Sequence, residues 1–228
     1  MKLSVLMPVY NEKDTVLDIL DLVMRMEVDK EIILVDDNST DGTREILQKE
    51  FGEGKDNVRV FYHQKNLGKG AAVRTALGEA TGDYMIVQDA DLEYSPRDIE
   101  KMFLLARDNS AKAVFGSRFL ETWRSTNLFH YAVNRFFTSM TNILYGSALT
   151  DIHTCYKMVE MDTIRGLDIH AERFAFDPEL CAKLLKSGIS IEEVAISYRG
   201  RDHTEGKKIG WLDGFEALWT LIRFKFHS

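Results

Sequence analysis

The sequence lacks the features that mark secreted, membrane-spanning and multidomain proteins. Its only cysteines, Cys155 and Cys181, have the spacing of neither a zinc site nor a disulfide-rich secreted domain, so we expect a reduced, cytoplasmic setting. Residues 1–10 do not have the layout of a signal peptide. No apolar run approaches the roughly 20 residues of a membrane-spanning helix. Any membrane contact is therefore expected to be peripheral.

An excess of positive charge is also missing. The 228 residues include 29 Lys and Arg against 36 Asp and Glu, a formal net charge of -7, which argues against a nucleic-acid partner. Hydrophobic residues make up 45% of the chain, enough for a packed core. The length suits one sizeable α/β domain or one domain with a small appendage, and the chain has no internal repeat, low-complexity tract or Pro/Ser-rich linker.

Short apolar runs alternate with amphipathic stretches, a pattern typical of an α/β domain whose mostly parallel sheet is flanked by helices on both faces. Strands are predicted at Leu3–Met7, Glu31–Val35, Val58–Tyr62, Tyr84–Gln88, Ala113–Phe115 and Ile189–Ile196. Helices are predicted after an Asn11 cap, at Thr40–Glu50, at Gly68–Ala80, after Ser95, at Asn127–Tyr145, from an Asp177 cap to about Lys186, and at Trp211–Phe226. A basic loop is predicted at Arg199–Gly210.

Ligands of such sheets bind beyond the carboxyl ends of the strands, so the residues after each strand are the candidates for chemistry. Asp89 and Asp91 follow one predicted strand directly, and alternation along an extended chain points both side chains the same way. Glu93 can extend this set. Carboxylates in this pattern suit Mg²⁺ or Mn²⁺ shared with a substrate's phosphates. The alternative is a solvated acidic turn.

Charged and aromatic residues follow other predicted strands. Asp37 can accept hydrogen bonds from a nucleobase, while its neighbours cap a helix. Tyr10 offers a flat face for a base or is an ordinary surface tyrosine. Lys69, between two glycines at a helix start, can meet phosphate, although the segment is not a Walker sequence. Arg118 suits a second anionic group or a surface salt bridge.

In order along the chain, these segments resemble glycosyltransferase family 2 with the GT-A fold, and within it the dolichyl- and polyprenyl-phosphate sugar synthases. The matching segments are Pro8–Glu12, Val35–Thr43, Asn66–Gly70, Asp89–Asp91, Gly116–Arg118, Asp151–Lys157 and Glu205–Ile209. The resemblance implies one catalytic domain over residues 1–228. Residues 1–93 would form its nucleotide-binding half, residues 94–210 its acceptor half and closing loop, and residues 211–228 an amphipathic helix.

The resemblance also implies roles for individual residues. The donor-binding set is Pro8, Tyr10, Glu12, Asp37, Lys69, Asp89, Ala90, Arg201 and Lys207. The metal ligands for Mg²⁺ or Mn²⁺ are Asp89, Asp91 and Glu93, where Glu93 replaces the glutamine of many metal-binding members. The acceptor phosphate would meet Arg118, Arg135 and Thr138, in a helix less basic than that of mannose synthases. The implied catalytic residues are Asp91, Arg118 and Asp151.

The implied reaction is inverting transfer of a hexose from a GDP-mannose-type or UDP-glucose-type donor to a polyprenyl or dolichyl phosphate. One alternative is a hydroxyl acceptor in cell-surface polysaccharide or glycolipid synthesis, which would need Asp151 as a general base. Another is a non-catalytic sugar-nucleotide-binding protein. The Gln-x-x-Arg-Trp signature of processive synthases is absent.

The sequence does not decide the environment of the closing helix predicted at Trp211–Phe226. Its apolar stripe comprises Trp211, Phe215, Leu218, Trp219, Ile222 and Phe226. The stripe suits packing on the domain's own core, contact with a partner subunit in a homo-oligomer, or a membrane interface.

Overall fold

The structure is a computed structural model that describes residues 1–52, 55, 57–120, 128–170, 175–200, 220–221 and 223–226. Within these ranges the chain forms one seven-stranded sheet in the order β3-β2-β1-β4-β6-β5-β7. The strands are β1 (Leu3–Val9), β2 (Lys30–Asp36), β3 (Val58–Tyr62), β4 (Tyr84–Val87), β5 (Ala113–Ser117), β6 (Lys157–Glu160) and β7 (Ile191–Ala195). Strand β6 runs antiparallel to its neighbours β4 and β5, and the other pairings are parallel.

The described helices cover both faces of this sheet. They are α1 (Val16–Met24), α2 (Thr43–Phe51), α3 (Lys69–Glu79), α4 (Pro96–Asn109), α5 (Leu128–Tyr145), α6 (Met161–Gly166) and α7 (Phe176–Lys186). Every residue of β1 and β2 is buried. Alternate side chains enter two different cores: Val5 and Met7 pack with α1 and α4, whereas Leu6 packs with α3 and α7. This two-sided burial is why the strands read as continuous apolar runs.

The predicted α/β class is confirmed, and the strands predicted up to residue 117 are observed with ends within two residues. Strand β6 and helix α6 were missed, because β6 is four residues long and begins and ends with charged residues. The predicted Asn11 cap is wrong: α1 begins at Val16 after Thr15. Asn11 has a positive φ of 53°, and its Oδ1 accepts a hydrogen bond from the Thr40 N–H. Helix α2 begins at Thr43 rather than Thr40, after Gly42.

The described part of the predicted closing helix packs on the protein itself. Leu221 is buried, and its carbonyl accepts a hydrogen bond from the Tyr145 hydroxyl at 2.7 Å. Phe224 packs against the core beside α5 and α7, whereas Phe226 is exposed. Within the described ranges, no helix combines the length and apolar character needed to cross a membrane.

Candidate active site

The carboxyl ends of the parallel strands place the predicted residues at one edge of the sheet. Asp37 follows β2, Asp89 lies two residues after β4, and Arg118 follows β5. Because β6 is antiparallel, it starts at this same edge, and Lys157 is its first residue. The mixed sheet therefore brings the 151–157 segment to the strand ends that carry the other charged groups.

Lys69 and Asp89 form a partly buried ion pair. The Lys69 Nζ lies 2.7 Å from the Asp89 carboxylate and 3.9 Å from an oxygen of Asp177. Burial alone would lower the pKa of Lys69, but the Asp89 carboxylate raises it well above its ordinary value. Burial raises the pKa of Asp89, and Lys69 outweighs this, so that pKa is lowered. Both groups are therefore charged at neutral pH.

Asp177 was predicted only as a helix cap, and this prediction is wrong. Helix α7 begins at Phe176 with Ala175 as its N-cap, so Asp177 lies inside the first turn. One oxygen of Asp177 is 3.0 Å from the Nζ of Lys157, a lysine whose side chain is only 1% exposed. Lys157 also donates to the Thr154 carbonyl. The sequence signal for this pair was a lysine within a short apolar run, because a buried ammonium group needs a carboxylate nearby.

The three predicted metal ligands do not form a protein cage. Asp89 is paired with Lys69, Asp91 accepts a hydrogen bond from the Glu93 N–H at 3.2 Å, and the Glu93 side chain accepts one from the Tyr198 hydroxyl at 2.9 Å. No group of three metal-binding side chains occurs among the residues described. The donor set fits instead a Mg²⁺ or Mn²⁺ that one or two carboxylates share with a substrate's phosphates, and Asp91 is the partly exposed carboxylate suited to this.

Asp37, predicted to contact the base, connects the segment after β2 to the segments that follow β3 and precede α3. Its carboxylate accepts hydrogen bonds from the N–H groups of Leu67 and Gly68 at 2.9 and 2.7 Å, and lies 2.7 Å from the His63 Nδ1. These contacts fix the entry to α3, and with it the position of Lys69. A direct contact between Asp37 and a base stays a prediction.

Three other residues of the predicted donor-binding set, Pro8, Tyr10 and Glu12, lie at or just beyond the end of β1, beside β2. Pro8 is buried within β1, and Ala90 is buried beyond β4. Tyr10 and Glu12 are partly exposed, and the Glu12 carboxylate accepts a hydrogen bond from the Thr15 hydroxyl. Their predicted donor contacts remain predictions. Arg201 and Lys207 lie outside the described residues.

Arg118 and Asp151, predicted separately, form one bidentate ion pair. The Arg118 Nε and a terminal guanidinium nitrogen lie 2.6 and 2.8 Å from the two oxygens of Asp151, which is fully buried. Burial raises the pKa of Asp151, but Arg118 outweighs this and lowers it. The ring centroid of Tyr198 lies 5.0 Å from the central guanidinium carbon of Arg118, a cation–π contact. Sequence reasoning missed Tyr198.

The acceptor residues predicted on α5 differ in their surroundings. Arg135 is exposed and donates a hydrogen bond to the Thr150 carbonyl, next to Asp151, at 3.4 Å. Thr138 is buried, and its hydroxyl has no hydrogen-bond partner among the described residues. His153, which was not predicted, has a buried Nε2 that likewise has no partner there. The structure therefore brings Arg135 towards Arg118, while Thr138 is buried.

Two curated relatives are identical to the chain at about a quarter of the aligned positions. The low-salt glycan biosynthesis hexosyltransferase Agl6 of Haloferax volcanii is 25% identical over 97% of the chain and 52% of its own length. The undecaprenyl-phosphate 4-deoxy-4-formamido-L-arabinose transferase of Proteus mirabilis is 26% identical over 90% of the chain and 62% of its own length. The chain thus spans about half to three-fifths of these relatives.

Solved structures confirm the GT-A fold. Glucosyl-3-phosphoglycerate synthase of Mycobacterium tuberculosis, in complex with Mn²⁺, UDP and glucosyl-3-phosphoglycerate, matches with a TM-score of 0.73 and 18% identity, over 100% of this chain and 81% of that one. Staphylococcus aureus TarS, in complex with UDP-GlcNAc, matches with a TM-score of 0.67 and 20% identity, over 98% and 67%. At these identities the likeness concerns the fold.

The family assignment comes from the sequence match. The model of glycosyl transferase family 2 matches residues 4–167, well over half of the chain. Together with the strand-end carboxylates and the mixed sheet, this match assigns the chain to glycosyl transferase family 2.

Proposed function

We propose that the chain is an inverting glycosyltransferase that moves a hexose from a nucleotide-diphosphate sugar to a polyprenyl phosphate. The observation that carries the proposal is the placement of two sets of charged residues at one edge of the sheet. Asp89 and Asp91 follow β4, with Lys69 paired to Asp89, and Arg118 follows β5. Only β6 separates these strands, so their ends are about 10 Å apart, a span that a sugar between two phosphate groups can bridge.

In the proposed reaction, an anionic oxygen of the acceptor phosphate attacks the anomeric carbon while the bond to the donor diphosphate breaks on the opposite face. A phosphate monoester is largely ionised at neutral pH, so the attack requires no general base. Arg118 binds the acceptor phosphate, and Asp151 holds the plane of the guanidinium. A Mg²⁺ or Mn²⁺ held by Asp91 and the donor diphosphate would supply positive charge to the leaving group.

Lys69 positions carboxylates rather than the acceptor in this proposal. Its ammonium is already shared between Asp89 and Asp177, so it keeps that pair of carboxylates close together beside the donor. Arg201 and Lys207, in the basic loop that the sequence predicts at Arg199–Gly210, would contact the donor diphosphate. A polyprenyl acceptor also implies that the protein works at a membrane surface.

Transfer to a hydroxyl is the second candidate, because Asp151 lies on the acceptor side. The environment of Asp151 disfavours this role. Its carboxylate is buried in a bidentate pair with Arg118 and its pKa is lowered, which makes it a weak base. The relative from Proteus mirabilis, named as an undecaprenyl-phosphate sugar transferase, supports the phosphate acceptor.

The test supplies purified protein with Mn²⁺ or Mg²⁺, polyprenyl phosphate and a panel of GDP- and UDP-sugars, and detects lipid-linked sugar by mass spectrometry. We expect product with one donor, none with unphosphorylated polyprenol, and at least a 100-fold loss in Asp91→Asn, about the loss seen when one transition-state charge contact is removed. Product with polyprenol but not with its phosphate would favour the hydroxyl acceptor. Donor binding without any product would favour the non-catalytic alternative.

A further inference from the structure

The segment after Asp91 is joined to the segment after β7 by a side-chain hydrogen bond and by a backbone bridge. The Glu93 carboxylate accepts a hydrogen bond from the Tyr198 hydroxyl at 2.9 Å, and the Glu93 carbonyl accepts one from the Arg199 N–H at 2.9 Å. The second bond belongs to the isolated antiparallel bridge that pairs Tyr94 with Tyr198. The side chain and the backbone of Glu93 therefore hold the same short stretch, so Glu93 fixes where the Tyr198 ring lies.

The Tyr198 ring in turn lies against Arg118. Its centroid is 5.0 Å from the guanidinium carbon on one side and 5.1 Å from the Tyr94 ring centroid on another. The Tyr94 ring is 4.9 Å from that of Tyr156. Asp151 fixes the Arg118 guanidinium through its nitrogens, and Tyr198 supports the same group through a ring face. Few other orientations of the guanidinium remain compatible with both contacts.

These contacts indicate a role for Glu93 other than the metal ligation that its position near Asp91 predicted. Asp91 accepts a hydrogen bond from the Glu93 N–H, while the Glu93 carboxylate accepts one from Tyr198. Asp91 and Glu93 also do not join a third metal-binding side chain within the described ranges.

We propose that Glu93 and Tyr198 are positioning residues that hold Arg118 in the orientation that receives the acceptor phosphate, and that Glu93 is not a metal ligand. The inference rests on the proposed function for its acceptor. It makes Glu93 the link between the donor side of the site, at Asp91, and the acceptor side, at Arg118. Neither Glu93 nor Tyr198 needs to touch the sugar or either phosphate in this role.

The first measurement separates positioning from metal binding and needs no turnover. Mn²⁺ is added to the protein in the presence of UDP or GDP, and the free Mn²⁺ is measured by electron paramagnetic resonance. Glu93→Gln should change the Mn²⁺ affinity by less than about 2-fold, as should the control Glu45→Gln, which removes one exposed negative charge from α2. Asp91→Asn should weaken the affinity at least 10-fold, since it removes the proposed ligand. An equal loss in Glu93→Gln would overturn the proposal.

The second measurement is the KM for polyprenyl phosphate. Tyr198→Phe and Glu93→Ala each remove the hydroxyl–carboxylate bond, so each should raise this KM about 5- to 10-fold, with kcat at saturating acceptor within about 2-fold. Glu93→Gln keeps an acceptor oxygen and should largely restore the KM. Because both changes break the same contact, the double variant should be no worse than either single one.

Two failures are distinguishable. If the wild-type protein transfers no sugar to polyprenyl phosphate, the proposed function fails and the acceptor role fails with it. If the wild type transfers sugar but Tyr198→Phe and Glu93→Ala leave the KM unchanged, or raise it additively, only the positioning role is overturned. Thermal melts establish that each variant is folded before either measurement.

Discussion

Arg118 and Asp151 lie 33 residues apart in the chain and meet in a bidentate ion pair at the end of β5. The Asp151 carboxylate is fully buried, whereas 13% of the Arg118 side chain is exposed. The arginine is therefore the member of the pair that a ligand can reach. Substituting either residue also changes the surroundings of the other, so the effects of the two substitutions have to be interpreted together.

Replacing Asp151 with asparagine is expected to act mainly through Arg118. The amide keeps one acceptor oxygen but loses the charge, so the guanidinium is held less firmly and the acceptor KM should rise about 10-fold. The pH dependence of kcat should keep its shape, because no proton is transferred to Asp151. Steady-state kinetics between pH 6 and 9 measures both quantities.

Arg118→Lys is the matched change on the other side of this pair. Lysine keeps the charge but cannot form the bidentate contact, so we expect a loss at least as large as that of Asp151→Asn. If Asp151→Asn instead lowers kcat 100-fold or more and removes a pH-dependent limb of the profile, Asp151 is a general base and a hydroxyl acceptor is favoured.

The Lys157–Asp177 pair should contribute to stability as a unit. Asp177→Ala leaves the buried Lys157 ammonium without its carboxylate and should lower the free energy of unfolding by up to about 3 kcal/mol. Lys157→Met removes the charge that needed compensation, so the double variant should lose clearly less than the sum of the single losses. Urea denaturation measures all three variants, and strict additivity would show that the two residues do not interact.

His153 should make stability fall as the pH drops below about 6.5. Burial is the largest influence and lowers the pKa of His153 to about 4, although Asp151 opposes it; Lys157 and Arg118 also lower the pKa, and Asp177 raises it. Because the unfolded chain binds the proton first, stability is full above pH 6.5 and declines towards pH 4, by at most about 3 kcal/mol.

The matched variant for this titration is His153→Gln, which cannot take up a proton in this range. Its urea midpoint should vary less between pH 7.5 and pH 5 than that of the wild type, even if its stability at pH 7.5 is lower. Equal pH dependence of the two proteins would show that His153 is not responsible. Burial raises the pKa of Glu31, but hydrogen bonds from Ser4 and Thr81 outweigh this and lower the pKa to about 2, so its contribution to stability is lost only as the pH falls below about 4.5.

Gly116 in β5 leaves no room for a side chain. A Cβ added there would lie 2.7 and 2.9 Å from two carbons of Ile196 and 3.1 Å from the Cβ of Tyr156. Gly116→Ala should therefore cost about 1–3 kcal/mol through overpacking. Gly78→Ala, in α3, meets nothing within 4 Å and should be neutral or slightly stabilising.

Ile196→Ala removes both carbons that a Cβ at Gly116 would meet. Combined with Gly116→Ala it should lose less stability than the two single losses added together. Urea midpoints of the single and double variants decide this, and a fully additive loss would mean that the strain lies elsewhere, for example at Tyr156.

The sequence was sufficient for six of the seven described strands and for the edge at which the site lies. Strands β1 and β2 are buried on both faces, so they appear as unbroken apolar runs, and the charged residues that follow them had to lie at the carboxyl ends. That reasoning predicted that Asp37, Asp89 and Arg118 lie at this edge, and the structure has each of them just beyond the end of its strand. Local sequence patterns predict strands and their ends because the burial of a strand determines the polarity of residues that are neighbours in the chain.

Only the tertiary structure decided which charges pair. Asp177 follows Lys157 by 20 residues, and nothing local distinguishes it from a helix cap until β6 enters the sheet antiparallel and turns Lys157 towards it. The same insertion places Asp151 against Arg118. Strand order and direction depend on how the whole sheet packs between its helices, and a buried charge accepts whichever counter-ion that packing brings within reach.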